Sequence, residues 1–369
     1  MATLWTRLYA RLSLQRSQPS ERSLMTASSV AVPAVIDFAA RASAKAGVPE
    51  ADARKAARLL VESDLNGSDG HGIFRLVQYI GGLRTGKVDP KGVIKVDIDG
   101  PATAHIDGGN ALGHLVMARA TEVAIEKART QGAAWVGGRG SNHGGAASVW
   151  ASQMLPRDMI GIYLAVGSNN FMAPWGGFER LLGTNPIAFA VPGLEEPPIL
   201  FDMATSIAAN GKIQVAQSKG EKLPEGWVID RQGRPITDSG KVDEGVLLPI
   251  GDYKGYGLAL MIGLIGATLN GGQFGREPTD AKASNTGQAV LALQISRFSD
   301  VTAFKQQVDR VARDIRGSGK LPGVSEIRLP GDRAYAVRAE RKRDGIPVPP
   351  SLRAALDKLA DGLGIERIV

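Results

Sequence analysis

Cysteine is absent from the 369 residues of the chain. This absence excludes disulfide bonds, thiolate nucleophiles and zinc sites with cysteine ligands. A chain without disulfides suits a reducing compartment, so we expect a cytoplasmic protein. The hydrophobic content of 43% and the charged content of 22% are ordinary for a globular protein. The length of the chain suits two closely packed domains, or one large domain with an insertion, with a substantial core.

Long apolar runs are also missing from the sequence. The longest apolar stretch extends from Leu258 to Leu269. It is shorter than the about 20 residues that a membrane-spanning helix requires. We therefore expect no membrane partner, and we predict that this stretch forms a buried helix inside the protein.

Aromatic residues make up only 5% of the chain, and the net charge is +7. Nucleic-acid-binding surfaces use aromatic side chains for base stacking and gather basic residues on one face. Here the basic residues are dispersed, so the positive charge fits the attraction of anionic small molecules better. We expect no nucleic-acid partner. A non-catalytic nucleotide- or nucleic-acid-binding protein stays the remote alternative.

The first 24 residues differ in composition from the rest of the chain. They are rich in arginine and serine and contain a single acidic residue, Glu21, which is typical of a transit peptide. Met25 stands just before the first convincing helix, so an over-called start codon explains the segment equally well. We expect residues 1–24 to lie outside the fold, as a disordered or targeting segment.

Signature motifs of common nucleotide and metal enzymes are absent as well. The chain contains no Gly-x-Gly-x-x-Gly, no Walker A sequence, no His-Glu-x-x-His and no Gly-x-Ser-x-Gly. Gly138-x-Gly140 comes nearest to the first motif, with His143 where the third glycine would stand. The sequence therefore does not support a conventional Rossmann fold, and we expect no metal site.

Predicted helices and strands alternate along most of the chain. The spacing of apolar residues and the Gly and Pro punctuation between them indicate an α/β class with a largely covered sheet. Residues 219–243 read as an irregular excursion. The predicted helices are 33–46, 49–65, 71–83, 111–130, 144–155, 205–217, 256–269, 301–315 and 349–363, and the predicted strands are 103–106, 133–136, 159–166, 186–191, 199–203 and 289–295.

The helix predicted over residues 71–83 carries two distinct faces. His71, Arg75 and Tyr79 recur every four residues and share one side of a helix. The opposite side carries an apolar core stripe, namely Ile73, Leu76, Val77 and Ile80. Such a helix can present His, Arg and Tyr to an anionic ligand, although a merely hydrated polar face gives the same pattern.

The segment 139–145, Arg-Gly-Ser-Asn-His-Gly-Gly, lies between a predicted strand and a predicted helix. Enzymes of the α/β class place ligands at such turns, because N–H groups of the helix N-terminus point into the crevice. His143, one of only four histidines in the chain, can act as an acid or a base near neutral pH. It is the leading catalytic candidate, against the simpler interpretation of a surface-loop histidine.

Other Gly- or Pro-marked turns also carry polar residues. Thr184 and Asn185 precede one strand, and Asp202 ends another. Lys254 stands at the N-terminus of the most apolar helix, where its charge opposes the helix dipole at a cost of about 0.3–1 kcal/mol. This placement suggests an anionic partner such as a cofactor phosphate, although each turn taken alone is more often structural.

Together these motifs resemble the malate/L-lactate dehydrogenase family of type-2 oxidoreductases. The family includes ureidoglycolate and sulfolactate dehydrogenases, diketogulonate reductase and Δ1-piperideine-2-carboxylate reductase. The resemblance covers residues 35–346 and rests on eight motifs in the family's order. They are GHGIFR (70–75), DGGNALG (107–113), SNHG (141–144), PWGG (174–177), GTNP (183–186), FDMAT (201–205), KGYGL (254–258) and PG (330–331).

The resemblance implies a non-Rossmann, mixed-sheet α/β domain that binds NAD or NADP, packed with a helical, partly discontinuous second domain. We expect residues 106–289 to form the cofactor domain, and residues 25–105 with 290–369 to form the helical, substrate-side part. Family members are typically cytoplasmic homodimers with active sites near the subunit interface. A homodimer is therefore expected here too.

The resemblance also implies roles for individual residues. His143 corresponds to the catalytic acid/base of the family, and His71 is the second catalytic candidate. The positions that match substrate contacts are Arg75, Tyr79, Thr184 and Asn185. The positions that match cofactor contacts are Ser168, Asp202, Met203, Ala204 and Lys254.

One departure from the family pattern concerns the substrate. Many relatives read His-Ser-His-Gly where this chain reads Asp69-Gly70-His71-Gly72. Asp69 could repel a second carboxylate, which weakens a malate or sulfolactate assignment, or it could recruit an amine or imine.

The expected function is hydride transfer between a nicotinamide cofactor and C2 of a small, malate- or lactate-like 2-hydroxy or 2-oxo acid. His143 would exchange the proton, and Arg75 would hold the carboxylate by two parallel N–H···O contacts. The alternative is reduction of a cyclic ketimine such as Δ1-piperideine- or pyrroline-2-carboxylate. The sequence leaves open the substrate, NAD against NADP, and the physiological direction.

Overall fold

The computed structural model of the chain describes residues 28–167, 170–209, 211, 213, 216–217, 220–276 and 285–368. Residues 1–24 and Ser168, which carry predictions, lie outside the described residues, as does much of the predicted helix 205–217. None of the helices in the described part is long and apolar enough to cross a membrane.

Helices from both ends of the described chain pack into one layer. The helix Val32–Lys45 has Pro33 in its first turn, where a missing N–H costs no helical hydrogen bond. It packs on the helix Glu50–Leu65. The strands Ser28–Val30 and Ile346–Val348 pair antiparallel and tie the two ends together. The other helices of this layer are Leu76–Arg84, Asp332–Asp344 and Pro350–Leu363.

A seven-stranded mixed sheet forms the second layer. Within it, the pair Thr103–Asp107 and Ala133–Arg139 is parallel and the remaining pairs are antiparallel. This mixed sheet confirms the predicted fold class. The strands lie in the order Lys95–Asp99, Thr103–Asp107, Ala133–Arg139, Gln288–Gln294, Met159–Ala165, Ile187–Val191 and Ile199–Met203.

Helices cover this sheet at close range. The helices Gly113–Gln131 and Ala147–Ser152 contact the sheet and bury Met117 and Trp150 against it. Gly161 allows the closest approach, because a Cβ at this position would overlap the carbonyl oxygen of Ala151. The helix Val301–Gly317 follows the last strand of the sheet in the chain, and the short strands Val228–Ile229 and Val246–Leu247 form a separate pair.

The predicted buried helix at 258–269 is wrong in one respect. The observed helix Tyr253–Gly266 buries a side lined by small residues and Ile262. Its other side is open in the isolated chain. There the exposed fractions are 37% for Leu258, 48% for Met261, 40% for Leu264, 42% for Ile265 and, just past the helix, 68% for Leu269.

The predicted helix at 71–83 is also wrong in part. Its first part folds instead into two 3₁₀ turns, Asp69–His71 and Ile73–Arg75, before the α-helix Leu76–Arg84. Ile73, Leu76 and Ile80 are buried as predicted, but Val77 is exposed and Tyr79 is buried, the reverse of the prediction for these two residues. The bend at Gly72 changes the direction of the backbone, so a single helical period no longer relates His71 to Tyr79.

Other elements also differ from the predictions. Residues 205–209 are not helical, and Ser206 instead forms a β-bridge with Pro249. The helix Asp332–Asp344 and the edge strand Lys95–Asp99 were not predicted, since the first has no buried residue and the second exposes most of its residues. One core lies in the helical layer and another against the large sheet. The domain boundaries themselves stay a prediction.

Candidate active site

The turn that carries His143 is fixed by the strand Gln288–Gln294 and the residues before it. The side chain of Asn285 accepts a hydrogen bond from Gly140 N at 2.7 Å. Gln288 Nε2 donates to the carbonyl oxygen of Asn142 at 2.7 Å. These contacts bracket the turn on both sides of Ser141, which is fully buried. The backbone that presents His143 is therefore held in place by its neighbours.

The imidazole of His143 is held at Nδ1. The hydroxyl oxygen of Tyr79 lies 2.5 Å from this atom, and the backbone N–H of Gly145 points to it from 3.3 Å. A backbone N–H can only donate, so Nδ1 acts as an acceptor when this bond forms. The neutral ring then carries its proton on Nε2. A hydroxyl can donate or accept, so Tyr79 can hold either tautomer.

Two further histidines surround this pair. The ring of His71 stacks on that of His143, with centroids 5.5 Å apart and planes at 15°. His114 meets Tyr79 edge-on at 5.3 Å. Three of the chain's four histidines therefore form one cluster with Tyr79. The described residues contain no group of three or more His, Asp or Glu side chains that could hold a metal ion.

The electrostatics of the cluster favour neutral rings. Burial lowers the pKa of His143 well below its usual value, and the neighbouring His71 and Arg75 lower it further. Burial, followed by the charge of Arg75, lowers the pKa of His71 to about 4. Burial lowers the pKa of His114 to about 4. Arg75 is therefore the permanent positive charge among these groups, and an anion beside it would make protonation of the histidines easier.

Arg75 is itself fixed by two contacts. Its Nε donates to the carbonyl oxygen of Gly70 at 2.8 Å, and its Nη1 donates to the side chain of Gln78 at 2.8 Å. Its Nη2 has no partner among the described residues and is the donor left for a ligand. The guanidinium is thus oriented before any substrate binds.

Asp64 holds the segment between His71 and Arg75 through a hydrogen bond to its backbone. This buried carboxyl accepts a hydrogen bond from Ile73 N at 2.8 Å. Burial raises its pKa to about 8. Gly72 is required beside it, because any Cβ there would overlap the carboxyl group. Asp64 falls on the buried stripe of its helix, four residues after Leu60. An acid on a core stripe is the sequence signal that could have revealed it.

The predicted cofactor residues lie on two adjacent segments. Asp202, at the end of its strand, accepts a hydrogen bond from Ser148 N at 2.8 Å, in the helix that follows His143. Thr205 O, a few residues further along, accepts from Ile250 N at 2.9 Å. Lys254 follows on that second segment and is exposed. Met203 and Ala204 are half-buried between them.

The predicted substrate residues Thr184 and Asn185 differ in their surroundings. Thr184 is half-buried. Asn185 is completely buried, and its amide accepts from Gly167 N and donates to the carbonyl oxygen of Ala259. In the isolated chain Asn185 therefore ties two segments together, and its contact with substrate stays a prediction. The sequence could not show these bonds, because Asn occurs in turns as well as in binding sites.

Comparisons with known proteins point to one family. The family model described as malate/L-lactate dehydrogenase matches residues 30–357. A malate dehydrogenase of Pyrococcus horikoshii is 37% identical over 345 residues, which cover 90% of this chain and 94% of that protein. An L-sulfolactate dehydrogenase of Methanocaldococcus jannaschii is 39% identical over 325 residues, covering 87% and 93%. The solved structure of a sulfolactate dehydrogenase from that organism has a TM-score of 0.84 at 37% identity, covering 92% of this chain and 98% of that one.

The fold and these relatives together define an α/β dehydrogenase built on a mixed sheet. The chain belongs to the malate/L-lactate dehydrogenase family.

Proposed function

We propose that this chain transfers hydride between NAD(P) and C2 of a small 2-hydroxy or 2-oxo acid. The observation that carries the proposal is the cluster of His143, Tyr79 and His71 beside Arg75. It combines a proton-exchanging group with a fixed cation that suits a carboxylate. Relatives whose names give the same chemistry, such as malate and L-sulfolactate dehydrogenases, support it.

The residues on the Asp202 and Lys254 segments suit a dinucleotide cofactor. Lys254 is exposed and has no ion-pair partner among the described residues, so its charge is available to an anionic group. We assign the cofactor to Lys254, Asp202, Met203 and Ala204, together with Ser168. When bound, the nicotinamide supplies or accepts the hydride at C2. One relative is named for NADP(+) and another for NAD(+), so either cofactor fits.

His143 exchanges the proton of the substrate oxygen. In alcohol oxidation the other neutral tautomer acts. Its Nδ1 carries the proton and donates to the Tyr79 oxygen, in place of accepting from Gly145, and the unprotonated Nε2 accepts the hydroxyl proton. In the reverse direction the imidazolium returns the Nε2 proton to the oxygen at C2. Tyr79 therefore acts on the substrate through the His143 ring. This differs from the predicted role of direct substrate contact, and follows from its burial and its bond to Nδ1.

The substrate carboxylate binds to Arg75. The bonds from its Nε and Nη1 hold the guanidinium plane, and Nη2 is free to donate. His71 lies beside it as a neutral donor and orients the same substrate. A bound carboxylate offsets the charge of Arg75, which raises the affinity of His143 for a proton. Binding of the oxo acid and protonation of its acid catalyst are thereby linked.

Cyclic ketimine reduction is the second candidate. It rests on a Δ1-pyrroline-2-carboxylate/Δ1-piperideine-2-carboxylate reductase of Pseudomonas syringae, which is 34% identical over 339 residues and covers 90% of this chain and 96% of that protein. A cyclic imine carboxylate offers the same carboxylate to Arg75 and the same C2 to the cofactor.

A substrate panel tests both candidates. Oxidation of NADH and of NADPH is followed spectrophotometrically with pyruvate, oxaloacetate, sulfopyruvate and Δ1-piperideine-2-carboxylate, and reduction of NAD and NADP with ureidoglycolate. Turnover of an oxo or hydroxy acid supports the first candidate, and turnover of the imine alone replaces it with the second. No turnover with any pair, in protein that binds neither cofactor, contradicts both.

We further propose that the chain forms a homodimer through the open side of the helix Tyr253–Gly266. Beyond Lys254 at the start of the helix, its exposed side chains are apolar, and Leu258, Met261 and Ile265 recur three and four residues apart on one face. A continuous exposed apolar face of this kind marks an interface. Lys254 lies at the start of the same helix, so the interface would lie close to the proposed cofactor residues.

A further inference from the structure

Helix Asp332–Asp344 contacts the segment that leads into His71, although it lies far away in sequence. Arg341 Nη1 donates to the carbonyl oxygen of Asp64 at 2.5 Å and also bonds the carboxylate of Asp69. Its Nη2 donates to the second carboxylate oxygen of Asp69 at 3.2 Å. The Arg341 side chain is only 11% exposed, whereas the Asp69 side chain is 64% exposed. The arginine is therefore held within the fold, while its contact with Asp69 lies at the surface.

A second arginine anchors the same helix one turn earlier. Arg338 donates to the side chain of Asn66 at 2.9 Å and forms an ion pair with Glu62. Val337, beside it, packs against Gly67, whose φ of +73° starts the loop towards Asp69. The helix therefore holds the end of the helix Glu50–Leu65 and the loop after it at several consecutive points.

Asp69 connects the contacts of this helix to the candidate active site. Asp69 begins the 3₁₀ turn that ends at His71. The carboxyl of Asp64 holds the next turn through Ile73 N, and that turn ends at Arg75. Arg341 therefore joins the two residues, Asp64 and Asp69, from which the backbone positions of His71 and Arg75 are set.

We propose that Arg341 is a positioning residue for substrate binding, which acts through Asp69 and Asp64 on His71 and Arg75. The Arg341 guanidinium bonds a backbone carbonyl and a carboxylate at the same time. A planar guanidinium matches this geometry, and the ammonium of a lysine does not. Its loss loosens the 69–75 segment and lowers affinity for the carboxylate substrate, while the cofactor residues on other segments keep theirs. The kinetic part of this inference rests on the proposed function.

The same contact gives Asp69 a different task from the two considered in the sequence. Its carboxylate is paired with Arg341, so it does not present an unpaired negative charge to a substrate. This pairing weakens the objection to a substrate with a second acidic group, and also the reason to expect recruitment of an amine.

The test compares Arg341→Ala with Arg343→Ala, which removes an exposed arginine paired with its neighbour Asp344 on the same helix. In Arg341→Ala we expect KM for the oxo acid to rise at least about fivefold, with kcat and the cofactor Kd within about twofold of wild type. Guanidinium ion at millimolar concentration should bring the KM of Arg341→Ala most of the way back down to the wild-type value. Arg343→Ala should leave all three constants unchanged.

Two more measurements separate the possible outcomes. Asp69→Asn keeps the acceptor and loses the charge, so it should give a smaller rise in KM, and it serves if Arg341→Ala does not fold. The rate of hydrogen exchange at the Ile73 amide shows how firmly residues 69–75 are held, and its measurement does not depend on catalytic activity. This rate should be higher in Arg341→Ala than in Arg343→Ala. Wild-type KM and wild-type exchange in Arg341→Ala overturn the proposal, as does equal loss of substrate and cofactor affinity. Absence of turnover in the wild type contradicts the proposed function instead.

Discussion

The hydroxyl oxygen of Tyr79 lies 2.5 Å from Nδ1 of His143, within a cluster in which every imidazole has a lowered pKa. This bond decides how the candidate acid/base is oriented. It leaves Nε2 as the ring atom that can face a substrate, and it keeps a partner for Nδ1 in both the neutral and the protonated ring. Tyr79 is therefore the residue through which the fold controls the proton on His143.

Replacing Tyr79 with Phe tests this relationship. The ring and its edge contact with His114 are kept, while the hydroxyl partner of Nδ1 is lost and only the longer contact with Gly145 N is left. A lost partner for a buried polar group costs about 1–3 kcal/mol, so we expect kcat to fall by at least about fivefold with little change in KM. Tyr335→Phe is the control, because the Tyr335 hydroxyl has no hydrogen-bond partner among the described residues. Equal kinetics of Tyr79→Phe and wild type would show that Tyr79 only fills space.

Much of this arrangement could be anticipated from sequence patterns. The strand-to-helix turn around His143 follows from a Gly-rich polar stretch between two apolar segments, and the mixed sheet from the alternation of elements and the family motifs. Such signals are local, since each depends on residues close together in the chain. The helix Glu50–Leu65 was predicted to within one residue at its start for the same reason.

The contacts between distant segments could not be anticipated. The backbone bends at Gly72 beside the carboxyl of Asp64, so the helical spacing of His71, Arg75 and Tyr79 predicted a geometry that differs from the observed one. Helix Asp332–Asp344 has no buried residue, and its arginines act by ion pairs that have no periodic pattern. His114 looks like any helical residue until its packing against Tyr79 is seen.

The two stacked histidines should differ in kinetic effect. His143→Ala removes the proton-exchanging group, so we expect normal cofactor binding and a loss of at least about 10²-fold in kcat, the usual scale of general acid–base catalysis. His71→Ala removes a donor to the substrate and should chiefly raise KM. Single-turnover experiments on both variants decide between them. A near wild-type rate in His143→Ala, with a collapse in His71→Ala, would mean that the roles are exchanged.

Lys254 provides a test of the cofactor assignment. Its charge is exposed at the start of an apolar helix, where the helix dipole disfavours it. We expect Lys254→Ala to weaken NAD(P)H binding by at least about tenfold, or about 1.4 kcal/mol, without a change in thermal stability. Lys358→Ala, an exposed lysine on the helix Pro350–Leu363, should leave affinity unchanged. A fluorescence titration in which both variants match wild type would remove Lys254 from the site.

A single charged substitution tests the proposed dimer interface. Leu264 is 40% exposed on the open side of its helix, and an aspartate there would be buried unpaired in a dimer. We expect Leu264→Asp to sediment as a monomer at concentrations where the wild type is a dimer. Val311→Asp is the matched control, since Val311 is 43% exposed on the helix Val301–Gly317. A wild-type protein that is already monomeric, or a dimeric Leu264→Asp variant, would place the interface elsewhere or nowhere.

The lowered pKa of His143 predicts opposite pH dependences for the two reaction directions. A depressed pKa means that the free protein holds the ring neutral from high pH down to well below the ordinary value of about 6.5. Oxidation needs the neutral ring, so kcat/KM for the hydroxy acid should show no loss as the pH falls through 6.5. Reduction needs the protonated ring, which is scarce throughout that range.

For reduction, kcat/KM should therefore rise about tenfold for each pH unit lowered between pH 8 and pH 6, because kcat/KM reports the ionisation of the free enzyme. The value of kcat itself should vary less, since the bound carboxylate offsets the charge of Arg75 and makes His143 easier to protonate. Steady-state rates from pH 5 to pH 9 in both directions check this. An oxidative profile that falls with a midpoint near 6.5, or a reductive kcat/KM that levels off at that pH, would show that His143 titrates as an exposed histidine does and that the cluster does not control its proton.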